Sequence, residues 1–336
     1  MGKSDHLSAL EEAGMELDRL AGPLAEVLAG RYGPGVRING LRRDSGGASR
    51  VTCGFDAVTA AGETHPLILR LAGQGVMAGG PLLREAALMR AAGAAGVPSP
   101  EVIAAGDAAA GLGAEFVVME RVEGETIPRR ILRDPALADV RPRLAGQCGE
   151  VLAAIHRIPV ADVPQLEQSD QLESWRTVLD TIGEPHPALE FALRWLARNR
   201  PPAHRSVVVH GDFRNGNLIV GPDGIRAVLD WELVHLGDPL EDLGWLCVKA
   251  WRFGAAPPVG GFGPYDQLIE AYERAGGTEV DRVALRWWEM FGVARWAIIC
   301  VMQARRHLTG GERSVELAAL GRRVVENEWD LLRMLP

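Results

Sequence analysis

Val207-Val208-Val209-His210-Gly211-Asp212-Phe213-Arg214-Asn215-Gly216-Asn217-Leu218-Ile219-Val220 sets a polar cluster between two short apolar runs. Runs of this kind suit buried strands, so the cluster lies on a loop between them. Asp212 and Asn217 stand five residues apart and can converge on one site. The carboxylate can accept a hydroxyl proton, and the amide oxygen can ligate Mg²⁺. Gly221-Pro222-Asp223-Gly224 then reads as a turn, followed by a short apolar strand in the run GIRAVLDWE, residues 224–232, with Asp230 in Val228-Leu229-Asp230-Trp231-Glu232 at its end. Asn217 and Asp230 thus end adjacent hairpin arms and offer the oxygen donors that a hard divalent ion takes. Taken alone, Asp212 also suits a carboxylate capping a turn, and His210 suits a loop-orienting role.

Outward from this hairpin the chain changes character twice. Leu10, Leu17, Leu20, Leu24 and Val27 mark one face of an amphipathic helix ending near Gly30. From Val36 to Glu120 short β-type runs follow (VRINGL, SRVTCGFDAV, PLILRLA, PEVIAAG, AEFVVME), interrupted by a helix over 82–95. After Val122 the chain turns helical over 141–158, 186–199, 239–253, 265–276, 282–307 and 312–335, apart from the hairpin. The expected organisation is a β-rich part over residues 1–122 and a mostly helical part over 123–336, an α+β fold in two lobes.

Composition bounds the function. The chain has 336 residues, formal net charge −8 and an ordinary 47% apolar content, which excludes general disorder. Thirty-six basic against 44 acidic residues argue against a nucleic-acid partner. Cys53, Cys148, Cys247 and Cys300 are far apart and form no zinc pattern, so they read as reduced thiols of a cytoplasmic protein. The N-terminus lacks the apolar core of a signal peptide, and no apolar run approaches ~20 residues, so no membrane partner is expected. Nothing in the sequence indicates an obligate protein partner. Trp287, Trp288 and Trp296 read as core, and Arg295 as a buried ion-pair partner or, alternatively, a contact for an anionic substrate.

The H-x-D-x-x-x-x-N spacing, followed by a strand, a turn and a strand-terminal Asp, resembles the protein-kinase-like fold. Gly211 after His210, and Asp230-Trp231-Glu232 where protein kinases have D-F-G, resemble instead the aminoglycoside phosphotransferase and choline kinase group. LDWELVHLGDPLEDLGWL, residues 229–246, looks like the branch that includes the kinase-like domains fused to some acyl-CoA dehydrogenases. The resemblance runs from about Val36 to Arg305 and is specific at 207–245.

The resemblance implies an ATP- and Mg²⁺-dependent phosphotransferase acting on a small-molecule hydroxyl. Asp212 matches the catalytic base, Arg214 the loop residue that touches the transferred phosphate, and Asn217 and Asp230 the metal ligands. Asp242 matches a buried Asp that steadies the loop through backbone N–H groups, and Glu232 takes the place of a Gly. Nucleotide would be held by the small-residue loop Ser45, Gly46, Gly47, Ala48 and Ser49, by Arg70 paired with Glu85, and by backbone groups around Glu120 to Val122. Arg70 replaces the Lys of protein kinases. The acceptor would be a hydroxy acid or hydroxyacyl thioester, or an aminoglycoside-like molecule. Two alternatives stand beside this reading: a protein Ser/Thr kinase, for which Asp230 runs too soon into the next helix, and a non-catalytic nucleotide-binding pseudokinase.

Overall fold

The structure, a computed structural model, describes residues 3–43, 50–72, 82–310 and 313–336. It divides into two compact units, Met1–Glu123 and Gly124–Pro336.

In the first unit, helix α1 (Lys3–Tyr32) precedes strands β1 (Arg37–Arg43), β2 (Arg50–Val58) and β3 (Thr64–Ala72). Helix α2 (Leu82–Ala94) and strands β4 (Val102–Gly106) and β5 (Phe116–Glu120) follow. The strands form one antiparallel sheet in the order β1-β2-β3-β5-β4. Strand alternation sorts β3 into two faces. Leu67, Leu69 and Leu71 turn inward and join Phe55, Phe116 and the α1 residues Leu24 and Leu28 in one buried cluster. Burying each such side chain stabilises the unit by about 1.5–3 kcal/mol. Arg70 is left on the opposite face, where α2 packs by Leu82, Ala86 and Met89.

The second unit begins with the short helix α3 (Pro128–Ile131), then α4 (Leu144–His156), α5 (Gln171–Ile182) and α6 (Pro187–Arg198). Strands β6 (Val207–Val209), β7 (Leu218–Gly221), β8 (Gly224–Val228) and β9 (His235–Gly237) come next, then α7 (Leu240–Cys247), α8 (Tyr265–Arg274), α9 (Arg282–Leu308), α10 (Val315–Gly321) and α11 (Val324–Met334). β7 and β8 make the expected hairpin, whereas β6 pairs with β9. α7 and α9 approach closely at Gly244, where a Cβ would lie 2.7 Å from the backbone N of Glu289. Only a glycine permits that approach.

Several helical expectations need correction. The stretch 239–253 is broken: α7 stops at Cys247, a 3₁₀ turn covers Lys249–Arg252, and Phe253 turns left-handed at φ 45°. The stretch 312–335, of which Glu312 lies outside the described residues, divides into α10 and α11 after Gly321, a poor helix former packed so closely on α9 that a Cβ would lie 2.8 Å from that of Ala304. α4 starts at Leu144 because Pro142 lies in a preceding 3₁₀ turn, Arg141–Arg143. α5 was not expected, although Asp170 caps its first N–H groups and Gly183 ends it at φ 70°.

Candidate active site

The loop between β6 and β7 is held from α7. Asp242 is fully buried, and its two oxygens accept the backbone N–H groups of His210 (2.8 Å) and Gly211 (2.9 Å). His156, on α4, adds Nε2 at 3.2 Å and is itself bonded through Nδ1 to Tyr272 Oη at 2.8 Å. Burial alone would raise the Asp242 pKa. The hydrogen bond and charge of His156, with His210 behind them, hold it below the ordinary carboxylate value. His210 is fully buried and accepts the Asp212 N–H on Nδ1 (3.2 Å), which places the proton of the neutral ring on Nε2. Burial lowers its pKa, so the ring stays neutral and orients the loop. Its edge packs on Phe213 and Trp231.

Asp212 therefore leaves the strand in a fixed direction, and its carboxylate is held again at the far end. Arg214 Nε donates to both oxygens (3.1 and 3.2 Å), Asn217 Nδ2 to Oδ2 (2.7 Å) and Trp245 Nε1 to Oδ1 (2.8 Å). The Asp212 side chain keeps 13% exposure, so it is reachable while oriented. The guanidinium of Arg214 lies 4.7 Å from the Trp251 ring centroid.

Asn217 also donates Nδ2 to the Asp212 carbonyl at 2.9 Å. With the amide nitrogen engaged twice, Oδ1 is its remaining donor atom for a cation. The hairpin closes on it: Leu229 N–H donates to the Asn217 carbonyl at 2.8 Å, next to Asp230. Asp230 is half-buried and left-handed at φ 69°, a backbone state that costs a non-glycine residue on the order of 1–3 kcal/mol. An amide oxygen and a carboxylate are hard oxygen donors and fit Mg²⁺, which needs few protein ligands when phosphates supply the rest. Among the described residues no group of three or more His, Cys, Asp or Glu side chains could hold a metal. Glu232 sits half-buried in the 3₁₀ turn Trp231–Leu233 just beyond.

In the first unit Arg70 Nη1 and the buried Glu85 carboxylate form an ion pair. β3 aims Arg70 at α2, and Glu85 lies in the first turn of that helix. Of the residues 120–122, Glu120 N–H donates to Glu101 O (2.9 Å) and Arg121 N–H to Pro66 O (3.0 Å). Both N–H groups are thus engaged within the unit, whereas Val122 N–H and C=O take no partner among the described residues. Of these three residues, Val122 alone keeps its backbone N–H unengaged among the described residues. The loop Ser45, Gly46, Gly47, Ala48 and Ser49 lies outside the described residues.

Residues 41–288 match the family described as the phosphotransferase enzyme family. The chain belongs to that phosphotransferase family. Acyl-CoA dehydrogenase family member 10 of Mus musculus is 29% identical over 274 residues. That match takes in 74% of this chain and 25% of the relative, so the chain spans about a quarter of that relative's length. Two solved structures share the fold. A Ralstonia eutropha protein assigned as an aminoglycoside phosphotransferase aligns at TM-score 0.72 and 21% identity, over 93% of this chain and 98% of its own. Spectinomycin phosphotransferase, solved with ADP and spectinomycin, aligns at 0.63 and 16%, over 94% and 99%. The fold of the phosphotransferase described above is thus the two-lobed kinase-like one.

Three residues in and around this candidate site were not singled out from sequence. Trp245 lies one helical turn after Asp242 in Asp242-Leu243-Gly244-Trp245, so i, i+3 spacing puts both on one face of α7. His156 is an isolated polar residue in the apolar run of α4. Glu241, buried, joins His235 (3.1 Å) and Arg295 (3.4 Å), which gives Arg295 the ion-pair role. Trp287 and Trp288 are core; Trp296 is half-buried. No helix among the described residues is long and apolar enough to cross a membrane.

Proposed function

We propose that the chain transfers the γ-phosphoryl group of ATP to a hydroxyl group of a small molecule. One observation carries this reading: a reachable carboxylate, Asp212, is fixed by three side-chain donors beside the oxygen-donor pair Asn217 and Asp230. The acceptor hydroxyl hydrogen-bonds to the Asp212 carboxylate. As its oxygen bonds to the γ-phosphorus and the bond to the ADP oxygen breaks, the proton passes to Asp212. Arg214 keeps the carboxylate turned to the acceptor and adds positive charge beside the transferred group. Asn217 and Asp230 would hold Mg²⁺, which offsets negative charge on the nucleotide phosphates. In this division of labour residues 1–122 hold the nucleotide, through Arg70, Glu85, Val122 and the loop of Ser45 to Ser49, and residues 123–336 hold the base, the metal and the acceptor.

The acceptor we assign is anionic, a hydroxy acid or a hydroxyacyl thioester of an anionic carrier, in preference to an aminoglycoside. A groove of about 870 Å³ in the second unit supports this. Arg129 and Arg133 line it with no ion-pair partner among the described residues, whereas Lys249 and Arg323 are paired with Asp330 and Glu326 of the same lining and Arg252 with Glu289, so the excess positive charge rests on Arg129 and Arg133. It adjoins the catalytic loop: a Cβ on Gly216 would lie 3.5 Å from Pro128 of α3, and Trp251 beside Lys249 carries Arg214. A polycationic acceptor would meet like charge there.

A protein-kinase reading is disfavoured because the chain from Asp230 to α7 is filled by a 3₁₀ turn and β9, with no room for a peptide-docking loop. A pseudokinase reading leaves the oriented Asp212 carboxylate without a purpose. The test is a phosphorylation screen with Mg²⁺-ATP against hydroxy acids, hydroxyacyl thioesters and aminoglycosides, read by mass spectrometry, with Asp212→Asn as control. Phosphate transfer to an anionic member, absent in the control, supports the reading. ATP binding with no transfer to any class favours the pseudokinase.

A further inference from the structure

Two of the three donors to the Asp212 carboxylate, Arg214 and Asn217, belong to its own loop. The third comes from α7 and has no counterpart among the residues read from the sequence. We propose that Trp245 is a positioning residue for Asp212, and that the buried Arg295 fixes the indole that does this. The kinetic part of the proposal rests on the phosphotransferase reading; the contact itself does not.

Three observations carry it. First, Trp245 is 2% exposed, and an indole N–H can only donate. The buried indole N–H groups of Trp251, Trp288 and Trp296 find no partner among the described residues, whereas that of Trp245 meets a carboxylate oxygen at 2.8 Å. Second, the oxygens are divided: Trp245 holds Oδ1 and Asn217 holds Oδ2, so the carboxylate cannot turn about its last bond without breaking a charge-assisted bond.

Third, the indole is itself braced. The guanidinium carbon of Arg295, on α9, lies 4.4 Å from the Trp245 ring centroid and 5.3 Å from that of Trp175. Arg295 is 3% exposed, and its Nε has no hydrogen-bond partner. Its cation is therefore held by two aromatic faces and by Glu241 at 3.4 Å. A cation over the ring withdraws electron density and makes the indole N–H a stronger donor. On another side Trp251 packs at 5.1 Å, and Trp251 also carries Arg214. Two of the donors that orient Asp212 thus rest on one aromatic cluster, which transmits the rigidity of α7 and α9 to the loop.

The test uses the full chain labelled with [¹⁵N]tryptophan, which gives nine indole signals to follow. The Trp245 signal is assigned as the one missing in Trp245→Phe. It is expected to move most in Asp212→Asn, with a smaller shift at Trp251, which carries Arg214, while the indoles outside this cluster barely respond. An unmoved Trp245 signal overturns the proposal. Where the Phe variant is unstable, Trp251→Phe assigns the other indole of the cluster, and the signal that survives in Trp251→Phe yet shifts most in Asp212→Asn is that of Trp245. The kinetic arm uses the acceptor that the screen identifies. Trp245→Phe is expected to lower kcat about tenfold with the KM for ATP within about twofold, and Arg295→Met to lower kcat by less. A merely structural role would change folded protein content and leave kcat per folded molecule intact, and that result also overturns the proposal. If the wild-type chain transfers phosphate to nothing, the phosphotransferase reading fails, and the indole signal still decides whether Trp245 holds Asp212.

Discussion

Asp242 Oδ1 accepts the backbone N–H of Gly211 at 2.9 Å, and the backbone conformation that presents this N–H is one that only a glycine fits here. Gly211 is left-handed at φ 79°, and a Cβ there would lie 2.5 Å from the Leu233 carbonyl oxygen. The loop is anchored on the Asp242 carboxylate so close to Leu233 that a side chain at Gly211 is excluded.

Asp242→Asn should therefore unfold the site from beneath. The amide keeps one oxygen for two N–H donors and loses its charge opposite His156. Disruption of a buried charged pair of this kind costs about 3–5 kcal/mol. Denaturant unfolding of the variant measures it. A loss under about 1 kcal/mol would mean that the loop does not depend on this carboxylate.

Stability should fall on both sides of neutrality. The Asp242 pKa, raised by burial but depressed on balance by His156 and His210, is low in the folded state. Its contribution is present above the ordinary Asp value and is lost as pH falls through the folded value. His235 behaves oppositely. Burial lowers its pKa, but the charge of Glu241 and hydrogen bonds to Glu241 and Leu233 O raise it overall. That contribution is full below the ordinary histidine value and is lost as pH rises through the folded one. Thermal unfolding across pH checks this, and His235→Gln should remove the loss on the alkaline side only.

The placement of the candidate residues was legible in the sequence where local spacing encodes it. Asp212, Asn217 and Asp230 lie at the ends of short strands, and a hairpin turn brings such ends together whatever surrounds them. Strand alternation and helix register likewise encode the pairing of Arg70 with Glu85. What was not legible depends on packing between distant segments. β9 is a three-residue strand, His235–Gly237, formed by pairing with β6 on one side and by a bridge to Gln168 on the other. The bond from Trp245 to Asp212 spans 33 residues and needs α7 pressed against α9 at Gly244. The break at Cys247 follows from tertiary contacts that no periodicity reports, since Val248 remains fully buried while the backbone leaves the helix.

Arg70 and Glu85 should act on nucleotide as one unit. A guanidinium between a carboxylate and phosphate oxygens depends on the carboxylate for its position. Arg70→Ala should weaken ATP binding, and Glu85→Ala should do so in part by releasing Arg70. A double-mutant cycle on ATP affinity is expected to show coupling of about 0.5–3 kcal/mol. Strict additivity would reduce the pair to a structural ion pair.

Removal of divalent cation should weaken ATP binding through Asn217 and Asp230. Calorimetric titration of the wild type with and without Mg²⁺ should show tighter binding with the ion, and Asp230→Asn should abolish most of the difference. Equal affinities in the wild type would remove the metal assignment from these two residues.

The most direct test of the account is the turnover of Asp212→Asn on a verified acceptor, measured with its ATP affinity. Nucleotide binding is assigned to other residues and should remain near the wild-type value. Phosphoryl transfer should fall at least ~10²-fold, the scale expected for loss of a general base. Near-native turnover by this variant would contradict the assignment of Asp212 as the base.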